Sequence, residues 1–333
     1  MEGRLFRYKT TPGSLQAFES PARHAHCKFC IFVGGLTDGL LACPYVESLA
    51  KECDARGWAL VQPVLSSAYI GFGTSSLKRD TEELCELLGY LDEHRKVDAF
   101  AIVGHSTGTQ NAVHLLAAAP PRLRERIRAA VLQAPVSDAE AAGLEAQDAE
   151  QRATAARRLD HAAARVREGK GRELMPELMY DFVPINAERY ASLHGRGGPD
   201  DLWSSYFSEA ELEARLAHMG TAGQREARGE LAAEPVPRHR GLRTLFAHSE
   251  RDEYVPKTVD AAALGQRFVR AAGGEGNGAA SLVVRGGSHN LKEAESAAQF
   301  VAAAGALLAA CAEDEVGEPA PGGAAPAPKK QKS

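Results

Sequence analysis

Short apolar runs, separated by polar and amphipathic stretches, recur along most of the chain. Two of the amphipathic stretches, 79–94 and 111–119, have helical spacing. Residues 3–20 alternate apolar and polar positions around TTPGS, which predicts a hairpin at the edge of a sheet. The six runs that predict the other strands are KFCIFV (28–33), WALVQPV (58–64), AFAIV (99–103), AAVLQA (129–134), TLFAH (244–248) and SLVV (281–284). Strands alternating with helices predict an α/β fold, a mostly parallel sheet of about eight strands with helices on both faces.

One long gap interrupts this alternation. About a hundred residues separate Ala134 from Leu242, and the first part is rich in Ala, Glu and Arg. Such an insertion after a strand predicts a helical cap over the strand ends, where open α/β sheets bind ligands. A solvated helical appendage is the alternative. The predicted division is a core of 1–136 and 239–312, a cap insertion of 137–238, and a disordered tail of 313–333 rich in Pro, Gly, Ala and charge.

Composition and charge argue against a nucleic-acid partner and against a membrane span. The chain has 333 residues, 44% of them hydrophobic, and a net charge of −5 with scattered basic side chains. A nucleic-acid partner is therefore not expected. The segment MEGRLFRYKT lacks the apolar centre of a signal peptide, and no uninterrupted apolar run reaches the roughly 18 residues of a membrane helix. We expect a soluble, cytoplasmic protein with no membrane span; the terminal KKQK leaves a nuclear location as a weaker alternative.

Two of the six cysteines, Cys27 and Cys30, form a CxxC motif. The motif occurs in zinc and redox sites, but no second pair follows at zinc spacing. The surrounding HCKFCIFVGG has the pattern of a buried strand, on which positions i and i+3 face opposite sides. Core packing is therefore the favoured interpretation of both cysteines.

The sequence AFAIV-GHSTG-TQNAVHLLAAA predicts a strand, a tight turn and a helix, with Ser106 in the turn. This is the context of the G-x-S-x-G nucleophile elbow. Gly104 and Gly108 remove side chains where strand and helix approach, so the serine hydroxyl can be exposed. A glycine-rich turn without catalytic function is the alternative, and the strand–turn–helix context favours a nucleophile.

A serine nucleophile needs a base and an acid that orients the base. His289 lies in the glycine-flanked loop RGGSHN after the last predicted strand, where this chain order places the base. Asp252, in HSERDEYVP just beyond the preceding strand, is the predicted acid. Glu250 and Asp138 remain as alternative acids.

An acyl-transfer site also needs donors for the oxyanion of the tetrahedral intermediate. The backbone N–H of Thr107, directly after the serine, is one predicted donor. The loop GGLTDG (34–39) follows the strand KFCIFV and predicts the other, with Leu36 favoured and Gly35 beside it. A tight turn without this role is the alternative.

With these elements in place, the chain resembles an α/β-hydrolase. More narrowly, it resembles an uncharacterised α/β-hydrolase family that includes fungal siderophore ester hydrolases. The blocks that carry the resemblance are FVGGLTDGLLACPYVESLA, VLSSAYIGFGTSSLKRDTEEL, GHSTGTQNAVHLL, LQAPVSDAEA, DDLWSSYFS and HSERDEYVP. The cap resembles the family only around 190–212, and its segment 139–170 departs from it. The resemblance implies hydrolysis of an ester, including a large hydroxamate siderophore as one candidate.

The predicted function is a serine hydrolase that cleaves a carboxylic ester through an acyl-enzyme. No metal or organic cofactor is expected, and the expected partner is a small-molecule ester. A thioesterase, acyltransferase or amidase on the same fold is an alternative, because the acyl-enzyme accepts several acyl donors and nucleophiles. An inert ligand-binding module is another. The sequence leaves the oligomeric state open.

Several aromatic and acidic residues of the cap are candidate substrate contacts. Tyr69, before the turn GFGTSS (71–76), is a candidate on the opposite wall, where helix capping is an equally supported interpretation. For the cap residues, anchoring of the cap to the sheet is slightly favoured over contact with an amphipathic or cationic ligand or a chelated metal. The cap candidates are His194, Asp201 and Trp203, with Tyr190, Asp200, Tyr206 and Phe207 beside them.

Overall fold

The computed structural model describes residues 1–313 apart from 11–12, 22–25, 146–147, 221–226, 230–231 and 237–240. The predicted tail beyond Glu313, with its KKQK, lies outside the described residues. The strands are β1 (Arg4–Lys9), β2 (Leu15–Glu19), β3 (Lys28–Val33), β4 (Trp58–Val64), β5 (Ala99–His105), β6 (Ile127–Gln133), β7 (Ala227–Gly229), β8 (Ala232–Val236), β9 (Arg243–Ser249) and β10 (Ala279–Val284). The helices are α1 (Val46–Ala55), α2 (Leu77–Arg95), α3 (Gly108–Ala118), α4 (Pro121–Arg124), α5 (Asp138–Glu145), α6 (Ala149–Arg167), α7 (Ala187–His194), α8 (Glu209–Leu216), α9 (Ala261–Ala271) and α10 (Ala294–Glu313).

Eight strands form one sheet in the order β1-β2-β4-β3-β5-β6-β9-β10. Strand β2 pairs antiparallel with β1 and β4, and every other pairing in this sheet is parallel. The predicted hairpin and the mostly parallel sheet of eight strands are confirmed, and each of the six apolar runs is a strand to within two residues at either end. Because parallel strands end at one edge, the loops after β3, β5, β6, β9 and β10 meet there.

Alternation along β3 divides the core between the two faces of the sheet. Phe29 and Ile31 pack with residues of α2, α3, α8 and α9 on one face. Cys30 and Phe32 pack with residues of α1 and α10 on the other. All four side chains are 2% exposed or less, so both faces are covered, as a parallel sheet requires.

Helix α10 has an apolar composition that matters for the membrane prediction. By length and hydropathy alone, its window Ala294–Cys311 is the one described helix that passes the test for a membrane span. Within that window Phe300, Ala304 and Leu308 are fully buried against the sheet. This burial is typical of a core helix.

The two cysteines of the CxxC motif lie in different environments, one at the surface and one in the core. Cys30 is fully buried on β3, which confirms core packing for this residue. Cys27 is exposed, so the same prediction is wrong there. The reason is that β3 begins at Lys28, which leaves Cys27 in the preceding turn.

The described part of the insertion after β6 contains four α-helices, three of which have a side-chain cap. Asp148 caps α6, Asn186 caps α7, and Ser208 with Glu211 forms a capping box on α8. A small apolar cluster, to which Phe72 from the core part of the chain contributes, stabilises this region. The antiparallel pair β7–β8 was not predicted in a segment interpreted as helical. Gly and Pro within ARGELAAEPV (227–236) explain the difference, because both disfavour a helix interior.

Candidate active site

The turn between β5 and α3 holds Ser106 in a left-handed backbone conformation, with φ of +52°. Such a conformation costs free energy in a non-glycine residue and persists where the surroundings enforce it. The flanking glycines make the turn sterically possible. A Cβ on Gly104 would lie 2.3 Å from the carbonyl oxygen of Gly108, and a Cβ on Gly108 would lie 2.2 Å from that of Val33. The Ser106 N–H donates to the Gln133 carbonyl at 3.0 Å, which fixes the turn to β6.

Left-handed non-glycine residues concentrate around this edge of the sheet. Nine such residues occur in the described chain, and Lys96 is the one that lies away from the site loops and the cap. Residues held in sparsely populated conformations are typical of binding and catalytic sites. The other eight are Thr37, Leu41, Tyr69, Ser106, Ala134, Tyr180, Asp181 and Leu291.

His289 and Asp252 form a hydrogen-bonded pair at the same edge. The Nδ1 atom of His289 lies 2.9 Å from both carboxylate oxygens of Asp252. The Asp252 side chain is 1% exposed and that of His289 is 13% exposed, so the pair is shielded from solvent. With Nδ1 engaged, Nε2 is the nitrogen left to act on a substrate. His289 and Ser106 line the same cavity.

The two alternative acids have other partners. Glu250 accepts the backbone N–H of Gly286, in the loop before His289, at 2.6 Å. Asp138 accepts from the side-chain amide of Gln110 at 2.9 Å. Neither carboxylate is hydrogen-bonded to the His289 ring among the described residues, and this geometry favours Asp252 as the acid.

Gln133, at the end of β6, is a site residue that the sequence interpretation missed. Its side chain is fully buried and its Oε1 contacts Nδ1 of His105 at 2.6 Å and the hydroxyl of Tyr45 at 3.0 Å. Its Nε2 donates to the Ser249 hydroxyl at 3.2 Å and to the His289 carbonyl at 3.0 Å. One amide therefore joins the nucleophile turn to the loops of the acid and the base. A lone glutamine in the apolar run AAVLQA was the available signal.

The loop after β3 lies directly against the serine. A Cβ on Gly35 would be 2.8 Å from the Cβ of Ser106. The Gly35 N–H donates to Oδ2 of Asp38 at 2.7 Å, so this amide is already engaged. Burial raises the pKa of Asp38, and the bond from Gly35 opposes that rise. Leu36 and Thr107 both line one small cavity of about 40 Å³. This arrangement favours Leu36 over Gly35 as the second oxyanion donor.

Ser106 opens into a cavity of about 540 Å³. It adjoins a second cavity of about 550 Å³, here called the cap groove, which lies between α6 and the segment 175–181. Ala142, Tyr180 and His194 line both spaces. Residues that form the wall of the Ser106 cavity include Leu36, Asp138, Tyr180, Phe182, His194 and Tyr254.

Of the residues predicted to contact substrate, one lines the cavity and the others lie at the surface or in the core. His194 lines both cavities. Tyr69 is 54% exposed and is absent from the wall of the Ser106 cavity. The backbone N–H of Tyr69 donates to the carbonyl of Asp38 at 3.0 Å, and this bond stabilises the loop after β3.

Trp203 and Asp201 are each 1% exposed and do not reach the cavity. The Trp203 ring packs 5.2 Å from that of Phe268 in the main core. Asp201 accepts hydrogen bonds from the hydroxyls of Ser204 and Tyr206. Their burial corrects the substrate-contact prediction for these two residues and favours the anchoring alternative.

No group of three or more His, Cys, Asp or Glu side chains within the described part of the chain is arranged to hold a metal ion. The cap carboxylates instead bond to arginine, hydroxyl and backbone N–H groups. Asp200, for example, receives both of its 2.7 Å contacts from Arg189.

Comparison with known proteins yields one family model and several relatives. The model described as “Protein of unknown function (DUF1749)” matches residues 2–308. The UPF0613 protein PB24D3.06c of Schizosaccharomyces pombe is 34% identical over 276 residues, 78% of this chain and 80% of that protein. The fusarinine C esterase sidJ of Aspergillus fumigatus is 30% identical, over 89% of this chain and 92% of that protein.

Solved structures support the same grouping. The siderophore hydrolase EstB from Aspergillus fumigatus superposes with a TM-score of 0.73 at 28% identity, over 93% of this chain and 97% of that one. An α/β-hydrolase fold protein of unknown function superposes with a TM-score of 0.64 at 23% identity, over 96% of this chain and 99% of that one. The fold of this chain is therefore the α/β-hydrolase fold.

Proposed function

The chain belongs to the family described as “Protein of unknown function (DUF1749)”, and on that premise we propose that it is a carboxylic ester hydrolase with a serine nucleophile. Relatives that cover most of the chain are named as a fusarinine C esterase and a siderophore hydrolase. These names support an ester as the substrate class. The serine mechanism rests on the geometry of this chain.

One observation carries the mechanism. Ser106, in a left-handed turn, shares a cavity with His289, whose Nδ1 is 2.9 Å from both oxygens of a buried Asp252. A carboxylate in this position holds the imidazole with a proton on Nδ1 and an acceptor at Nε2. It also stabilises the imidazolium that forms during the reaction.

In the first half-reaction the Ser106 hydroxyl oxygen attacks the ester carbonyl carbon, and Nε2 of His289 takes the hydroxyl proton. The N–H groups of Leu36 and Thr107 donate to the oxyanion of the tetrahedral intermediate. Thr107 directly precedes α3, so the positive end of the helix dipole adds to this stabilisation. Collapse of the intermediate breaks the carbonyl–alkoxy bond, and the leaving alcohol receives the proton from His289.

In the second half-reaction water attacks the acyl-enzyme. His289 takes a proton from the water, and the second tetrahedral intermediate expels the Ser106 oxygen, which regains that proton. The products are a carboxylic acid and an alcohol, and the enzyme returns to its starting state. Asp252 stays ionised throughout.

The size of the site supports a bulky ester. The Ser106 cavity of about 540 Å³ shares His194 as a wall residue with the cap groove of about 550 Å³. Both lie within the range of roughly 300–1,000 Å³ that is usual for small-molecule sites. A siderophore-like ester is one substrate that would fill both.

An ester preference is the first expected result. We predict that a p-nitrophenyl ester will be hydrolysed with kcat/KM at least about 100-fold above the p-nitroanilide of the same acyl group, because amide resonance adds several kcal/mol to the barrier. The measurement compares the ester, the matched thioester and the anilide on one preparation. A higher kcat/KM for the thioester or the anilide would contradict the ester assignment.

A further inference from the structure

We propose that the Ser106 cavity contains a subsite for a cationic group of the substrate, in which Asp138 binds an ammonium carried by the ester. The inference rests on the proposed ester hydrolysis and names the class of ester that the site selects. Asp138 thereby becomes a residue that determines specificity rather than the acid that orients the base.

Asp138 is placed for this role by two neighbouring elements. It begins α5, directly after the loop that leaves β6, and it lines the cavity that contains Ser106. Its Oδ2 accepts from Nε2 of Gln110 at 2.9 Å, and Gln110 is fully buried on α3, four residues after the serine. A neutral amide fixes the position of the carboxylate and supplies no opposite charge to it.

No basic side chain of the described residues lies within salt-bridge distance of this carboxylate. The buried guanidinium of Arg189 directs Nη1 to both oxygens of Asp200 at 2.7 Å, and its Nε to the Phe72 carbonyl at 3.2 Å. Asp138 forms no ion pair with any basic side chain among the described residues. A buried carboxylate without a counter-ion is costly, and a bound cation would relieve that cost.

The ionisation of Asp138 responds to the charges that face it. Burial raises its pKa to about 7, and Asp200 adds to the rise. Arg189, the Gln110 amide and His289 act in the opposite direction. A cation on the substrate favours the ionised carboxyl, so affinity for the cation should increase as the pH rises through about 7.

His194 lines the same cavity as Asp138 and carries no charge there. Its Nδ1 atom is buried and has no hydrogen-bond partner among the described residues. Burial lowers the pKa of His194 to about 4, so the ring is neutral at pH 7. The ring also bonds to the backbone of Asp138, which opposes this shift. A neutral ring in this wall adds no positive charge that would repel an ammonium at Asp138.

The rest of the Ser106 cavity wall includes one basic residue, Lys292, and three aromatic residues that suit an organic cation. Tyr180, Phe182 and Tyr254 bring aromatic rings to the cavity, and ring faces attract cations. The adjoining cap groove has one lining arginine, Arg158, which lies 3.7 Å from Glu177. The other acidic side chains that line it are Asp148, Glu150 and Asp181. This excess of acid makes the approach to the serine favourable for a positive charge.

The test uses substrate pairs that differ only in charge. p-Nitrophenyl esters of ω-amino acids with four to six carbons are compared with alkanoates in which a methyl group replaces the ammonium. Alkyl ammonium groups keep their charge up to about pH 8, since their pKa is near 10. The ratio of kcat/KM within a pair cancels every pH effect on the catalytic steps that the two substrates share.

For at least one chain length we expect the wild-type ratio to favour the cationic ester by roughly 10-fold to 100-fold. The ratio should rise between pH 6 and pH 8. In Asp138→Asn, which keeps the size and the Gln110 contact, the ratio should fall to about 1 and lose its pH dependence. Asp160→Asn, an exposed acid on α6, is the matched control and should keep the wild-type ratio.

A wild-type ratio near 1, or an unchanged ratio in Asp138→Asn, would overturn the cation subsite while leaving ester hydrolysis intact. If the wild type hydrolyses no ester, the proposed function fails instead. Calorimetric binding of n-hexylammonium then tests the subsite by itself: a Kd about 10-fold higher in Asp138→Asn supports it, and equal values overturn it.

Discussion

Replacement of Ser106 by alanine should lower kcat/KM for a p-nitrophenyl ester by roughly 10⁴-fold to 10⁶-fold. The substitution removes the oxygen that forms the acyl-enzyme and leaves His289 without the hydroxyl that it deprotonates. The oxyanion donors and the binding surface remain, so a small residual rate over water is expected. Steady-state kinetics on the purified variant, with active protein quantified, measures the effect.

The control for this variant is Ser281→Ala, which removes a serine hydroxyl from β10, a strand at the edge of the sheet. Ser281 receives a hydrogen bond from Gln266 and does not line the Ser106 cavity. The kcat/KM of Ser281→Ala should stay within about 2-fold of the wild-type value. A Ser106→Ala protein that retains wild-type turnover would remove the serine from the mechanism.

Replacement of Asp252 by asparagine should lower kcat by roughly 10³-fold to 10⁴-fold, with a smaller change in KM. The carboxylate accepts the Nδ1 proton of His289 at 2.9 Å through either oxygen. An asparagine is neutral and offers an N–H in place of one oxygen, which favours the tautomer with Nε2 protonated. In that tautomer Nε2 cannot take the proton of Ser106.

Glu250→Gln is the matched control, because it makes the same chemical change at the nearest rival acid. Glu250 accepts the Gly286 N–H at 2.6 Å, and a glutamine oxygen can accept the same bond. The loss in kcat should therefore stay below about 10-fold. A large loss in Glu250→Gln with a small loss in Asp252→Asn would exchange the roles of the two carboxylates.

Local patterns carried most of the fold prediction. Buried parallel strands are continuous apolar runs, so β3 and β4 could be delimited to the residue and the other predicted strands to within two. The turn around Ser106 could be predicted because the glycine requirement is itself local. Gly104 and Gly108 face backbone atoms at little more than 2 Å from where a Cβ would stand.

What the sequence did not reveal depends on contacts between distant segments. Gln133 reaches loops more than a hundred residues away, at Ser249 and His289, and its spacing in β6 has no signature of this. Trp203 and Asp201 have the composition of a binding site, yet the packing of the insertion on α9 and the sheet buries both. The absence of a salt bridge to Asp138 became visible only when the partners of Arg189 were known.

Activation of Ser106 by His289 is the step on which the proposed mechanism depends. Its most direct measurement is labelling of the purified protein with a fluorophosphonate probe, followed by mass-spectrometric location of the adduct. We expect one adduct on the peptide that contains Ser106, absent from Ser106→Ala and strongly reduced in His289→Ala. An unlabelled wild type, or an adduct that persists on another residue in Ser106→Ala, would contradict it.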